Sequence, residues 1–202
     1  YKTGLVDGVT TNPTLILRSG RQQSDVIEEI YQACPNLESI SAEVVAETAD
    51  EMIEQAQPYI SLSSNVTIKV PCTREGLKAC YELSNDGVLT NVTLVFSVSQ
   101  AILAAKAGAT YVSPFVGRVN DNSFDGIKLI KDISDTYNVH EIETQILAAS
   151  IRRVVDVSSC FQHGANVCTL PVKVFNGMYD HVLTREGLDL FNKDYLAAKK
   201  ET

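Results

Sequence analysis

Seven times along this chain, a short run of β-branched or apolar residues ends in polar, Gly or Pro residues and gives way to a stretch of helical periodicity. The strand-like runs are 8–13, 40–45, 65–71, 89–96, 111–116, 145–150 and 166–171. Helical patterns follow at 24–34, with Ser24 as the expected cap, and at 48–57, stopped by Pro58. The next lie at 73–84, 97–106 (ended by Gly108), 123–137 and 152–163, and one or two more run from about residue 173 to Lys200. Such alternation specifies a parallel sheet, either open and doubly wound or closed as a (β/α)8 barrel. The glycine-rich first turn of an open nucleotide-binding sheet is missing: neither GxGxxG nor GxxxxGK[ST] occurs. Meanwhile Asn12, Glu43, Lys69, Asn91, Thr93, Ser113 and Ser150 lie in or at the ends of successive strands, and they meet only if those strands form a ring. The expected fold is α/β, a (β/α)8 TIM barrel with seven of its eight strands evident.

Composition narrows the class. The chain has 202 residues, 45% of them hydrophobic and 21% charged, enough for one substantial core, so residues 1–202 are expected to form a single domain with a helical tail from about 173. A net charge of −8 argues against nucleic acid as a partner. Cys34, Cys72, Cys80, Cys160 and Cys168 contain no CxxC pair and no His at ligand spacing, which suits reduced thiols in a cytoplasmic protein and no metal site. No apolar run reaches the ~20 residues of a membrane helix. The tail is more apolar than a free end warrants, with Tyr179, Leu183, Leu188, Leu190, Phe191 and Tyr195, and is expected to pack over the barrel or on another subunit.

The chemically informative residue is Lys69, in the run Asn65-Val66-Thr67-Ile68-Lys69-Val70-Pro71. A strand buried on both faces has little use for an ammonium group. Desolvation disfavours a charged lysine, and a neutral amine attacks carbonyls to form Schiff bases. The alternative is a lysine whose stem packs while its head reaches water at the strand's end. Lys173 is a weaker candidate nucleophile, because it follows Pro171 by two residues and reads as the first turn of a helix. Asn91, inside an apolar strand, is an odd choice for packing, since a buried amide must be satisfied. Asn12 precedes Pro13 and reads either as a site amide or as a strand-to-helix turn residue. Thr93 reads either as a site hydroxyl or as β-branched filler.

Six segments, taken in order, resemble the signature segments of the transaldolase family, class I aldolases on a (β/α)8 barrel. They are Gly8-Val9-Thr10-Thr11-Asn12-Pro13, Ser41-Ala42-Glu43-Val44, Ile68-Lys69-Val70-Pro71, Asn91-Val92-Thr93-Leu94-Val95-Phe96-Ser97, Ser113-Pro114-Phe115-Val116-Gly117-Arg118 and Ala149-Ser150-Ile151-Arg152. The resemblance covers essentially the whole chain. It implies Lys69 as the Schiff-base lysine and Glu43 as an acid/base group working through water, with Asn12 and Asn91 as active-site amides and Thr93 beside them. Thr10, Ser113 and Phe115 would line the sugar, and Arg118, Ser150 and Arg152 would bind its phosphate, with Arg152 opening the helix after Ser150. Glu43 has a second reading, an ion pair with a barrel lysine such as Lys69.

Within the family, fructose 6-phosphate aldolases tend to carry Gln at the Glu43 position and Tyr at the Phe115 position, so this chain has the transaldolase choice at both. The implied reaction is transfer of a dihydroxyacetone unit between sugar phosphates in the pentose phosphate pathway, with no cofactor, in a homo-oligomer. A fructose 6-phosphate aldolase and a non-catalytic sugar-phosphate-binding barrel are the alternatives. One departure stands out. The family's first strand ends in a catalytic aspartate, whereas this chain opens on Tyr1, after that point; Asp7, at the entrance of the next strand, is no substitute. The amino-terminal strand is therefore expected to be missing from the sequence.

Overall fold

The computed structural model describes residues 3–199. The chain runs β1 (Gly8–Thr10), α1 (Pro13–Ser19), α2 (Gln23–Ala33), β2 (Ser39–Glu43), α3 (Ala49–Ile60), β3 (Val66–Pro71), α4 (Arg74–Asn85), β4 (Thr90–Val95) and α5 (Val98–Lys106). It continues through β5 (Tyr111–Pro114), α6 (Val116–Asp121), α7 (Gly126–Val139), β6 (Gln145–Ala148), α8 (Val154–Gln162), β7 (Val167–Cys168), α9 (Val172–Gly177) and α10 (Val182–Ala198). All seven strands are parallel and pair in sequence order. Among the described residues no backbone pairing joins β1 to β7. The sheet curls far enough for the Thr10 and Thr169 hydroxyls to hydrogen-bond across that seam at 2.7 Å. This is the expected TIM barrel, one strand short of a closed ring.

Strand alternation sorts the side chains. Ile40, Ala42, Ile68, Val70, Val92, Val112 and Ile146 face the helices and pack against residues such as Met52, Ala79, Leu83, Ala104, Ile130 and Val157. Each fully buried aliphatic side chain contributes about 1.5–3 kcal/mol relative to exposure. The other parity is polar: Ser41, Thr67, Lys69, Asn91, Thr93 and Ser113 are all buried.

Several local expectations need correction. α3 runs through Pro58 to Ile60, because a proline in the last turn forfeits only one backbone hydrogen bond while Tyr59 and Ile60 still pack on the core. α2 starts at Gln23 rather than being capped by Ser24, whose hydroxyl turns to Asp25. The helix expected from Ser123 begins at Gly126, where Asp125 caps the N–H groups of Ile127 and Lys128, and a short extra helix, α6, precedes it. Lys200, where the tail was expected to end, lies outside the described residues. Thr73 does cap α4 through Gly76 N–H. A Cβ on Gly76 would lie 2.0 Å from the Pro71 carbonyl oxygen, so only glycine lets α4 sit this close to the end of β3.

Candidate active site

Register does the first part of the assembly. Glu43 pairs with Lys69 across β2 and β3, and Lys69 with Asn91 across β3 and β4, so one row of the sheet carries a carboxylate, an amine and an amide at the spacing of adjacent strands. Lys69 is 7% exposed, so the reading in which its head reaches water does not hold. Its Nζ lies 2.8 Å from Glu43 Oε2 and donates to the backbone carbonyl of Thr11 at 3.0 Å. The ion-pair reading of Glu43 is thus realised with Lys69 itself, a contact that also leaves the carboxylate beside any group the amine attacks. Gln23 holds the end of β2 from behind, donating from Nε2 to the Glu43 carbonyl at 2.9 Å.

Asn91 is fully buried, and its Oδ1 accepts the Ser113 hydroxyl at 2.7 Å. That bond takes one of the two acceptor sites of the amide oxygen. Among the described residues, Asn91 Nδ2 and Thr93 Oγ1 are buried without a hydrogen-bond partner, as are Ser41 Oγ and Asn65 Oδ1. Buried donors left open beside an amine are unusual in a packed interior and define a place for a polar ligand. Directly after Thr93 the strand breaks its rhythm: Leu94 takes a left-handed φ of +60° where the β4–β5 register shifts. Backbone of this kind costs free energy and gathers at functional sites.

Asn12 stands at the end of β1, next to Thr11. Its Oδ1 caps α1 by accepting from Leu15 N–H at 2.9 Å, so the turn-residue reading is realised, while its amide N–H groups have no protein partner among the described residues. Thr10 is engaged with Thr169 across the seam.

The phosphate candidates lie one loop away. The Phe115 amide bonds to Val95 O and the Val116 amide to Ala149 O, which brings the starts of α6 and of the β6–α8 loop together. A Cβ on Gly117 would fall 2.1 Å from Ser150 O and 3.0 Å from Arg152 Nε, so this glycine leaves the space in which Ser150 and Arg152 sit against α6. Ser150 itself has a φ of +59°. Arg118 lies one helical turn beyond Phe115, its guanidinium 4.9 Å from the ring centroid, and Phe96 meets the same ring edge to face at 5.6 Å. Ring–ring contacts of this type contribute roughly 0.5–1.5 kcal/mol and exposed cation–π contacts roughly 0.5–1 kcal/mol.

Arg152 does not open a helix: α8 starts at Val154 with Arg153 at its cap position. Its guanidinium grips Asp121 in bidentate fashion, at 2.5 and 2.6 Å. Arg153 is paired with the buried Asp156. Lys173 sits exposed in the first turn of α9, as its sequence position indicated. Cys72, just past β3, is half-buried, and burial pushes its thiol up, away from the reactive thiolate.

Sequence reasoning missed the Thr11 carbonyl, Gln23, Phe96 and Asp121. The first is a backbone atom with no residue-type signal. The others are ordinary residues whose importance comes from the partners that tertiary structure brings to them.

A profile of the family described as Transaldolase/Fructose-6-phosphate aldolase matches residues 1–202. The chain is 52% identical over 193 residues to a probable transaldolase of Caulobacter vibrioides, covering 96% of this chain and 88% of that protein. It is 50% identical over 192 residues to one of Cereibacter sphaeroides, covering 95% and 87%. It is also 49% identical over 205 residues to probable transaldolase 2 of Bacillus cereus, covering 99% and 92%.

Proposed function

This chain is an enzyme belonging to the transaldolase/fructose-6-phosphate aldolase family, and we propose that it is a transaldolase acting through a Schiff base on Lys69. One observation carries the reading: an amine buried in a strand, touching a carboxylate and a carbonyl, with the open amide of Asn91 opposite it on the next strand.

In the proposed cycle, Glu43 takes a proton from Lys69 directly or through water, and the free amine adds to C2 of a ketose phosphate such as sedoheptulose 7-phosphate or fructose 6-phosphate. The carbinolamine hydroxyl leaves as water with a proton supplied by Glu43. In the resulting iminium the nitrogen accepts the electron pair of the C3–C4 bond as that bond breaks and the C4 hydroxyl passes its proton, directly or through water, to the Glu43 carboxylate. An aldose phosphate departs, and three carbons remain on Lys69 as an enamine. That enamine attacks C1 of the acceptor aldehyde, glyceraldehyde 3-phosphate, whose oxygen takes the proton back from Glu43, and hydrolysis of the new iminium frees the amine. Asn91 Nδ2, Thr93 and Asn12 hold the sugar hydroxyls, Thr10 and Ser113 complete the wall, and Phe115 closes it. Arg118, Ser150 and Arg152 grip the phosphate. No cofactor takes part.

The identities of Glu43 and Phe115 favour transfer over simple cleavage. A coupled assay tests this: with fructose 6-phosphate alone, free dihydroxyacetone is expected to be negligible, and turnover to appear when an acceptor aldose phosphate is added. Steady release of dihydroxyacetone without acceptor would reassign the enzyme as an aldolase.

Three further features belong to this reading. Residues 1–202 work as one barrel unit with its helical tail. The enzyme serves the pentose phosphate pathway in the cytoplasm, where its five free cysteines remain reduced. It is a homo-oligomer: α10 buries none of its residues, while Leu183, Leu188, Leu190, Phe191, Tyr195 and Leu196 are exposed along it, a face suited to a second copy. Light scattering should give a mass that is a multiple of 22.1 kDa; a monomer across micromolar concentrations would contradict it.

A further inference from the structure

Phe96 is a large apolar side chain left 40% exposed at the mouth of the site, one residue past β4, and the cycle above gives it no role. Its placement is tightly built. The left-handed Leu94 turns the chain out of strand alternation, so that Val95 is buried and Phe96 emerges at the rim. The Phe96 amide donates to Gln100 Oε1 at 2.8 Å, and the neighbouring Val95 carbonyl accepts the Phe115 amide at 3.1 Å. Two hydrogen bonds from backbone amides, one to a side chain and one to a carbonyl, thus fix where the Phe96 and Phe115 rings meet.

The ring of Phe115 in turn carries Arg118. The two arginines differ here. Arg152 is oriented by both oxygens of Asp121, whereas Arg118 has no carboxylate partner among the described residues, so the Phe115 ring is the group that orients its guanidinium. A cation on a ring face keeps its N–H groups free around its edge for an anion, provided the ring stays put. We infer that Phe96 is a positioning residue for the phosphate of the substrate, holding the Phe115 ring at the tilt that aims Arg118. The inference rests on the reading of Arg118 as a phosphate ligand and adds a residue to which no part of that reading assigns a task.

The test uses the full chain, with fructose 6-phosphate as donor and inorganic phosphate as competitive inhibitor. Phe96→Ala is expected to raise KM for the donor and Ki for phosphate together, by about five- to tenfold, with kcat within about twofold and a melting temperature lowered by no more than about 5 °C. Phe96→Tyr, which keeps the ring edge, should restore both constants. A purely structural role would instead lower kcat and the melting temperature along with binding, and that outcome overturns the inference, as does an unchanged phosphate Ki. Arg118→Ala separates the two levels. If it weakens phosphate inhibition while Phe96→Ala does not, only the role of Phe96 falls; if Arg118→Ala leaves phosphate inhibition intact, the phosphate reading of Arg118 falls first.

Discussion

Replacing Lys69 with methionine is expected to abolish turnover, a loss on the order of 10⁴-fold or more, because without the amine no covalent electron sink forms. Methionine fits the space of the lysine stem, so the strand should still form. The partner suffers instead: Glu43, whose side chain is only 13% exposed, loses the cation 2.8 Å away. Removing one member of a fully buried ion pair costs about 3–5 kcal/mol, and the partial exposure of Glu43 brings the expected destabilisation to roughly 1–3 kcal/mol. The variant should therefore be folded, less stable and inactive. Thermal melting alongside a transfer assay checks both halves. Measurable transfer by a folded Lys69→Met protein would remove this lysine from the chemistry.

The second large effect is expected at Glu43. Glu43→Ala deletes the group proposed to move protons during formation and dehydration of the carbinolamine, for which a loss in kcat of about 10²–10³ is the ordinary scale. It also leaves the largely buried Lys69 ammonium with the Thr11 carbonyl as its single protein partner among the described residues. The signature that separates a proton-transfer role from a packing role is kinetic. The three-carbon adduct should still form on Lys69, slowly, with the step before carbon–carbon cleavage becoming rate-limiting. Rapid-quench trapping with borohydride reads that accumulation rate directly. An Ala variant that forms the adduct at the wild-type rate and is slow only afterwards would reassign Glu43.

Lys69 and Asn91 could be read from the chain because each is a polar interruption in a run whose neighbours demand burial, and a strand's two-residue period places both on one face. The fold was legible for a related reason: each strand-to-helix exchange leaves its own local signal, repeated seven times. Element ends were less legible. Pro58 can stand in the last turn of α3 because Tyr59 and Ile60 gain burial by continuing the helix, a tertiary effect that local propensity does not register. The β6–α8 loop shows the same limit. An arginine just after a strand resembles a helix opener, but the left-handed Ser150 turns the chain so that α8 starts two residues beyond Arg152, and the guanidinium is left to Asp121 on α6. No spacing rule links Asp121 to Arg152, thirty-one residues apart, and none links Phe96 to Arg118 through an intervening ring.

These contacts also give the chemistry a division of labour. The row from Glu43 through Lys69 to Asn91 sits on regular strand backbone, which holds side chains with little freedom, whereas the proposed phosphate ligands Arg118, Ser150 and Arg152 sit on or beside turns that need a glycine at 117 and a left-handed serine at 150. Substitutions in the first set should act mainly on kcat and those in the second mainly on KM.

The most direct measurement is reductive trapping: incubation with fructose 6-phosphate and borohydride, followed by digestion and mass mapping of the modified peptide. A three-carbon adduct on the peptide that holds Lys69 is the predicted result. An adduct on Lys173, or turnover with no trappable adduct anywhere on the chain, would contradict it.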